Sequence, residues 1–206
     1  MSPDLLIALV GFAIVSSITP GPNNVLVMTS GLNFGVARSL PLVAGISFGF
    51  AIMLLAVGVG LGPVIRTSPS AHLAVKIFGL GYMLWLAWQV ATSAPRVIDP
   101  ENASASRPLS ALTGLTFQWV NPKAWAVALS ATAAFSAPQA MWTSLFAILA
   151  VFAIVSLLSL SAWVAFGMLM RRVIDTPSKM TAFNIVMALL LIASAAPVAY
   201  DLLINH

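Results

Sequence analysis

Charged residues divide this 206-residue chain into long apolar runs. No Asp, Glu, Lys or Arg occurs within residues 5–37, 39–65, 77–95, 124–170 and 180–200. A helix that crosses a membrane needs about 20 mostly apolar residues. Because only helices and closed barrels can satisfy the backbone in lipid, runs of this length predict an α-helical membrane protein.

The run over residues 124–170 is too long for one crossing, and Ser136-Ala-Pro-Gln139 predicts a turn inside it. The piece before this turn is too short to cross alone, so the fourth helix must begin near Leu109, which places Lys123 inside it. The fifth helix then covers about 139–170. With the sixth near residues 180–200, we predict an all-α integral membrane protein with six transmembrane helices in a single domain, residues 1–206.

The polar stretch over about residues 92–108 separates two groups of three predicted helices, a first repeat over about 1–91 and a second over about 109–206. Three is an odd number, so the second half enters the membrane from the opposite side and any repeat is inverted. Six basic residues are predicted to lie on the same side of the membrane as this loop, namely Arg38, Arg96, Arg107, Arg171, Arg172 and Lys179. Two lie opposite, Arg66 and Lys76, so the basic loop is predicted to be cytoplasmic and both termini external.

Composition supports a lipid-facing surface. The chain is 60% hydrophobic and 7% charged, whereas soluble domains carry about 25% charged residues. A net charge of +4 without a basic, aromatic-rich patch argues against nucleic acid as a partner. The absence of cysteine and the position of both histidines near span ends leave no expected metal or cofactor site. The N-terminus lacks Lys and Arg before Leu5, so the first run is expected to be a retained helix, with a cleaved signal peptide as the alternative.

The first predicted helix contains a severe break. Prolines remove backbone donors and clash with the preceding turn, and backbone groups freed in lipid cost several kcal/mol each. The break must therefore be buried in protein or line a water-filled cavity. Asn23 or Asn24 is expected to cap the second half-helix. The candidate substrate-binding residues here are Thr19, Pro20, Gly21, Pro22, Asn23 and Asn24.

The fourth predicted helix is interrupted at the matching place of the second half. Its candidate substrate-binding residues are Gln118, Asn121, Pro122 and Lys123. Interrupted helices in corresponding positions of two inverted halves are the best sequence indication of a transport site. Two simpler interpretations stay open, namely that Pro122 only kinks the helix and that Lys123 extends its side chain to the membrane surface. An ionisable residue inside a membrane nevertheless marks a functional site by default.

These motifs resemble those of the lysine exporter family, the LysE/RhtB group of bacterial amino-acid exporters. The resemblance covers nearly the whole chain and rests on Thr19-Pro-Gly-Pro-Asn-Asn24, Tyr82-Met-Leu-Trp-Leu-Ala-Trp88 and Phe117-Gln-Trp-Val-Asn-Pro-Lys-Ala-Trp125, with support from the glycines at 31, 35, 45 and 49. The first two segments are most similar to the cysteine/O-acetylserine exporter branch. The resemblance implies proton-driven export of amino acids or their derivatives across the bacterial cytoplasmic (inner) membrane.

No carboxylate lies inside a predicted span, so the group that would carry a proton is left open between Lys123 and the substrate itself. A lysine at the site would repel a second cation, which favours neutral substrates. The expected partners are an amino-acid substrate and the lipid bilayer, and a homodimer is kept as a candidate assembly. The alternatives are a structural membrane protein and, with little support from the residues present, an intramembrane enzyme.

Overall fold

The fold is all-helical over the part of the chain that the computed structural model describes, which is residues 1–61, 69–92, 108–170, 172–174 and 176–205. No β-strand occurs in these ranges. Most of the predicted 92–108 loop lies outside the described residues, as do Arg66, Arg96, Arg107 and Arg171.

Eight α-helices follow one another along the described chain. They are α1 (Pro3–Ile18), α2 (Pro22–Phe34), α3 (Val36–Ala56), α4 (Pro69–Ala91), α5 (Ala111–Phe117), α6 (Pro122–Phe135), α7 (Met141–Met170) and α8 (Pro177–Asn205). A π-helical segment, Val57–Leu61, extends α3, and 3₁₀ turns at Gln118–Val120 and Pro138–Ala140 precede α6 and α7.

Three segments are long and apolar enough to cross a membrane, namely Val36–Gly60, Met141–Met170 and Pro177–Ala196. The pair α1 and α2 makes a fourth when it is taken as one span bent by 56°. Large apolar side chains such as Phe48, Phe78 and Leu158 lie exposed on the outside of the bundle, as lipid-facing residues do. The prediction of a multi-pass α-helical membrane protein is confirmed at this level.

The first break lies where the sequence predicts it, but its capping differs from the prediction. Gly21 is the N-cap of α2, and Pro22 is its first helical residue. Proline suits this position because its missing N–H would have no partner within the helix anyway. Asn23 and Asn24 therefore lie inside the first turn of α2, and the expectation that one of them caps this helix is wrong.

Helix α2 lies at the centre of the bundle. All ten residues from Asn24 to Asn33 are buried, between α7, α3 and α8. A Cβ on Gly31 would lie 2.2 Å from the carbonyl oxygen of Val164, and one on Gly167 would lie 2.0 Å from that of Met28. The α2 and α7 backbones thus touch at two places where only glycine fits.

Helix α3 packs in the same way against the short helix α5. A Cβ on Gly45 would lie 2.0 Å from the Ala111 carbonyl oxygen, and one on Gly49 would lie 2.6 Å from that of Leu115. The spacing of these two glycines by four residues places them on one face of α3. This contact holds α5 in place, and with it the chain that leads into the second break.

Candidate functional site

The two helix breaks meet inside the bundle. Asn23 Nδ2 donates to Gln118 Oε1 at 2.9 Å, and Gln118 Nε2 donates back to Asn23 Oδ1 at 3.1 Å. Asn121 Nδ2 also donates to Asn23 Oδ1, at 3.3 Å. Three amide side chains, separated by as many as 98 residues in sequence, thus connect one break to the other.

The second break is built around Asn121. The 3₁₀ turn that follows helix α5 ends just before this residue, whose extended backbone (φ −84°, ψ 109°) makes it the N-cap of α6. Its Oδ1 accepts the backbone N–H of Lys123 at 3.1 Å, and Pro122 occupies the first helical position. Asn121 therefore caps a helix with its oxygen while its nitrogen contacts the other break.

Lys123 extends its half-buried side chain from α6 across to the first break. Its Nζ donates to the backbone carbonyl of Thr19, just past the end of α1. The path of the side chain depends on Gly21, because a Cβ there would lie 2.7 Å from Lys123 Cδ and 3.0 Å from Nζ. The glycine between the two prolines thus makes room for the lysine.

Besides Lys123, polar side chains from α2 and α7 bind the carbonyl groups freed at the end of α1. Asn24 Nδ2 donates to the Ser17 oxygen at 2.8 Å and to the Thr19 oxygen at 3.1 Å. Ser159 Oγ on α7 donates to the same Ser17 oxygen at 3.0 Å. These bonds offset the cost of unpaired backbone groups inside the bundle.

A partly open cavity lies beside the junction of the breaks. Its lining residues come from α1, α2, α3, α6 and α7 and from both breaks, and they are Ser16, Ser17, Gly21, Asn23, Asn24, Phe50, Asn121, Lys123, Ala124, Val127, Phe152, Ser156, Ser159 and Leu160. Lys123 is the only residue in this lining with a charged side chain. The cavity therefore combines serine and asparagine groups with one cation and an apolar wall.

Five of the ten candidate residues line this cavity, namely Gly21, Asn23, Asn24, Asn121 and Lys123. The other five surround it. Thr19 offers its carbonyl to Lys123 and Asn24, and Gln118 is fully buried and bonded to Asn23 and to the Gly114 carbonyl. Pro20, Pro22 and Pro122 shape the two breaks.

Sequence reasoning missed the contribution of α7. Ser156 and Ser159 line the cavity from this helix, and Ser159 binds the broken end of α1. The signal was available, because two serines three residues apart share a helix face and follow a wholly apolar stretch of α7, residues 145–155. Ser16 and Ser17, in the last turn of α1, also line the cavity.

The helix ends around the cavity carry opposite partial charges. The C-terminus of α1 presents the carbonyls of Ser17 and Thr19, which is the negative end of a helix dipole. Helix α2 begins with proline, and among the described residues the N–H groups of Asn23 and Asn24 have no hydrogen-bond acceptor. Helix N-termini of this kind bind carboxylates, whereas freed carbonyls bind ammonium groups.

The described residues contain no group of three or more His, Cys, Asp or Glu side chains that could hold a metal ion. Lys123, backbone groups, amides and hydroxyls make up the polar chemistry of the cavity. Such a set suits reversible binding of a small polar solute.

Comparison with known proteins identifies the family of this chain. The LysE type translocator family model matches residues 14–202. The cysteine/O-acetylserine efflux proteins of Escherichia coli (strain K12) and Shigella sonnei (strain Ss046) are each 31% identical over 202 residues, which is 97% of this chain and 100% of theirs. No solved structure matches. The chain therefore belongs to the LysE type translocator family and is a transport protein rather than an enzyme.

Proposed function

We propose that this protein exports small neutral amino acids or their derivatives across the bacterial cytoplasmic membrane, and that the cavity at the two helix breaks is the substrate site. The observation that carries this proposal is the junction of the breaks, where Asn23, Asn121 and Lys123 converge beside the cavity. Similar proteins from enteric bacteria are named as cysteine/O-acetylserine efflux proteins, which fits a substrate of this class.

The helix ends support binding of a zwitterion. The substrate carboxylate would lie against the N–H groups of Asn23 and Asn24 and would draw the ammonium group of Lys123 away from the Thr19 carbonyl. The substrate ammonium would then take the place of Lys123 at the Thr19 carbonyl. Both charges of an amino acid thus have a complementary partner without a charged carboxylate from the protein.

The same arrangement disfavours cationic amino acids. The described lining of the cavity contains no Asp or Glu, and Lys123 already supplies one positive charge. At a few ångströms and low effective dielectric, a second cation would be repelled by several kcal/mol. Cysteine, O-acetylserine, threonine and homoserine have small uncharged side chains, and the serine and asparagine groups of the cavity can form hydrogen bonds with them.

We further propose six membrane-spanning helices arranged as two inverted repeats, with α1 and α2 as the first broken helix and α5 and α6 as the second. In this arrangement α3 corresponds to α7, and α4 corresponds to α8. The contact of α3 with α5 then corresponds to the contact of α7 with α1, and the contacts of α3 with α7 and of α4 with α8 join corresponding helices. The basic side of the membrane would be cytoplasmic, with both chain ends outside.

The driving force in this proposal is the proton gradient. Lys123 is the only residue of the described cavity lining with an ionisable side chain, so it is the candidate for carrying the proton. Its Nζ alternates, in this proposal, between the Thr19 carbonyl and the substrate carboxylate. A homodimer stays a hypothesis, and the mass of the detergent-solubilised protein tests it.

Amino acids in the culture medium test the proposed function. Cells that overproduce the protein are compared with cells carrying an empty vector, and with cells producing Leu158→Ala, whose side chain is exposed on α7. We expect small neutral amino acids to accumulate outside in both producing strains and not with the vector. Selective export of lysine or arginine, or export indistinguishable from the vector, would refute the proposal.

A further inference from the structure

A second polar cluster lies deeper along α2, away from the cavity. Thr29 and Asn33 are each 5% exposed, and Asn184 of α8 is fully buried. Asn33 Nδ2 donates to the Thr29 carbonyl at 2.8 Å and to Asn184 Oδ1 at 3.4 Å. Three polar residues from two helices thus meet inside the bundle, although they contribute nothing to the junction of the breaks.

Two oxygen atoms in this cluster lack partners. Thr29 Oγ1 and Asn33 Oδ1 are buried without a hydrogen bond to any described residue. The neighbouring pair Ser30 and Ser39 shows the usual arrangement, because their hydroxyls share a 2.8 Å hydrogen bond and Ser39 also donates to the Gly35 carbonyl. Buried polar atoms are normally paired, so unpaired acceptors in a packed helix require an explanation.

The cluster lies beyond the point where the cavity ends. Helix α2 lines the cavity only with Asn23 and Asn24, and Thr29 lies about 7.5 Å further along the helix, at about 1.5 Å per residue. The buried segment 25–28 is apolar, and the glycine contacts between α2 and α7 leave no space between these two helices, whose interface is the seam. In the proposed orientation, this part of α2 lies between the cavity and the cytoplasmic surface and forms the cytoplasmic arm.

We propose that Thr29, Asn33 and Asn184 form a second binding station on the cytoplasmic arm, which receives the α-ammonium group of the amino acid when α2 separates from α7 and α8. This inference rests on the proposed function. Asn33 Oδ1 and Thr29 Oγ1 are the acceptors that an ammonium group or its water shell needs. They stay unpaired in the closed arrangement and gain partners in the open one.

Thr29→Val tests the station because valine keeps the shape of threonine and removes the unpaired hydroxyl. Export of O-acetylserine or cysteine is measured in inside-out vesicles over a range of substrate concentrations. We expect the half-saturating concentration to rise at least about fivefold, as loss of one contact to a charged group predicts, with unchanged abundance and an unchanged or higher melting temperature. The matched control is Thr132→Val, whose hydroxyl is already bonded to the Ala128 carbonyl at 2.8 Å and which should transport normally.

Opening of the seam is measured independently with a Ser30→Cys reporter in this cysteine-free chain. We expect substrate to accelerate its reaction with a thiol reagent applied to the cytoplasmic face, because Ser30 is only 3% exposed in the closed arrangement. If Thr29→Val has the wild-type half-saturating concentration, and substrate does not accelerate labelling of Ser30→Cys, the second binding station is wrong while the proposed function stands. Absence of transport by the wild-type protein would overturn the proposed function and the station with it.

Discussion

Asn23 and Gln118 lie 95 residues apart and exchange two hydrogen bonds, at 2.9 and 3.1 Å, across the junction of the two helix breaks. Each side chain belongs to a different predicted repeat. Because Gln118 is fully buried, this exchange satisfies polar atoms that have no access to water. The pair therefore fixes how the two broken helices face each other.

The exchange predicts a strong coupling between the two amides. Asn23→Ala leaves the buried Gln118 with unpaired atoms, so it should lower the free energy of unfolding by about 1–3 kcal/mol. Gln118→Ala should do the same, while the double variant should lose clearly less than the sum. Thermal unfolding of the purified protein in detergent measures all three. Additive losses would show that the amides act independently.

Gly21 predicts a defect that acts through Lys123. The Cβ of Gly21→Ala would lie 2.7 Å from Lys123 Cδ, so it should displace Nζ from the Thr19 carbonyl and lower export several-fold. In a Lys123→Met background the same change should have little further effect. Gly11→Ala is the control, since nothing lies within 4 Å of its added Cβ. Full export by Gly21→Ala would contradict the assigned path of the lysine.

The contacts between α2 and α7 predict a defect in folding. Gly31→Ala and Gly167→Ala each direct a Cβ at backbone atoms, at 2.2 and 2.0 Å, and backbone cannot move aside as a flexible side chain can. Overpacking of this kind costs about 1–3 kcal/mol or more, so membrane abundance and melting temperature should both fall. Gly81→Ala in α4 meets nothing within 4 Å and should be neutral or slightly stabilising. Equal stability of all three variants would rule out the close packing.

The loop charges predict an orientation that single cysteines can test in this cysteine-free chain. An impermeant thiol reagent added to whole cells should label Ser2→Cys and Asn205→Cys. It should not label Ser104→Cys, which lies in the predicted cytoplasmic loop. Labelling of Ser104→Cys alone would reverse the orientation and move the second binding station to the outer arm.

The sequence was sufficient to predict both breaks because proline and glycine act on the backbone locally. Pro22 and Pro122 each start a helix, as their missing N–H requires. The role of Asn24 could not be predicted, since it binds carbonyls at the end of α1 and depends on the 56° bend between α1 and α2. Ser159 was missed for a similar reason, because its partner lies 142 residues away.

Helix α2 is also more completely buried than its sequence indicates. A helix that contains Thr29, Ser30 and Asn33 is expected to face a cavity or a helix partner on one side. In the structure it is enclosed on all sides, because glycines on two helices permit contact between their backbones. Which helix each glycine approaches depends on the packing of distant segments, which spacing along the chain does not specify.

Transport by purified protein in proteoliposomes tests the central claim most directly. Initial rates for labelled O-acetylserine or cysteine are compared among wild type, Asn121→Ala, Lys123→Met and the lipid-facing control Leu158→Ala. Loss of the charge-assisted contact between Lys123 and the substrate carboxylate costs about 1.5–3 kcal/mol, so Lys123→Met should transport roughly ten- to a hundredfold more slowly at low substrate concentration. Asn121→Ala removes the N-cap of α6 and the hydrogen bond to Asn23, so it should displace Lys123 and also slow transport. Wild-type rates for both variants, at equal amounts of folded protein, would contradict the claim that the junction of the breaks binds the substrate.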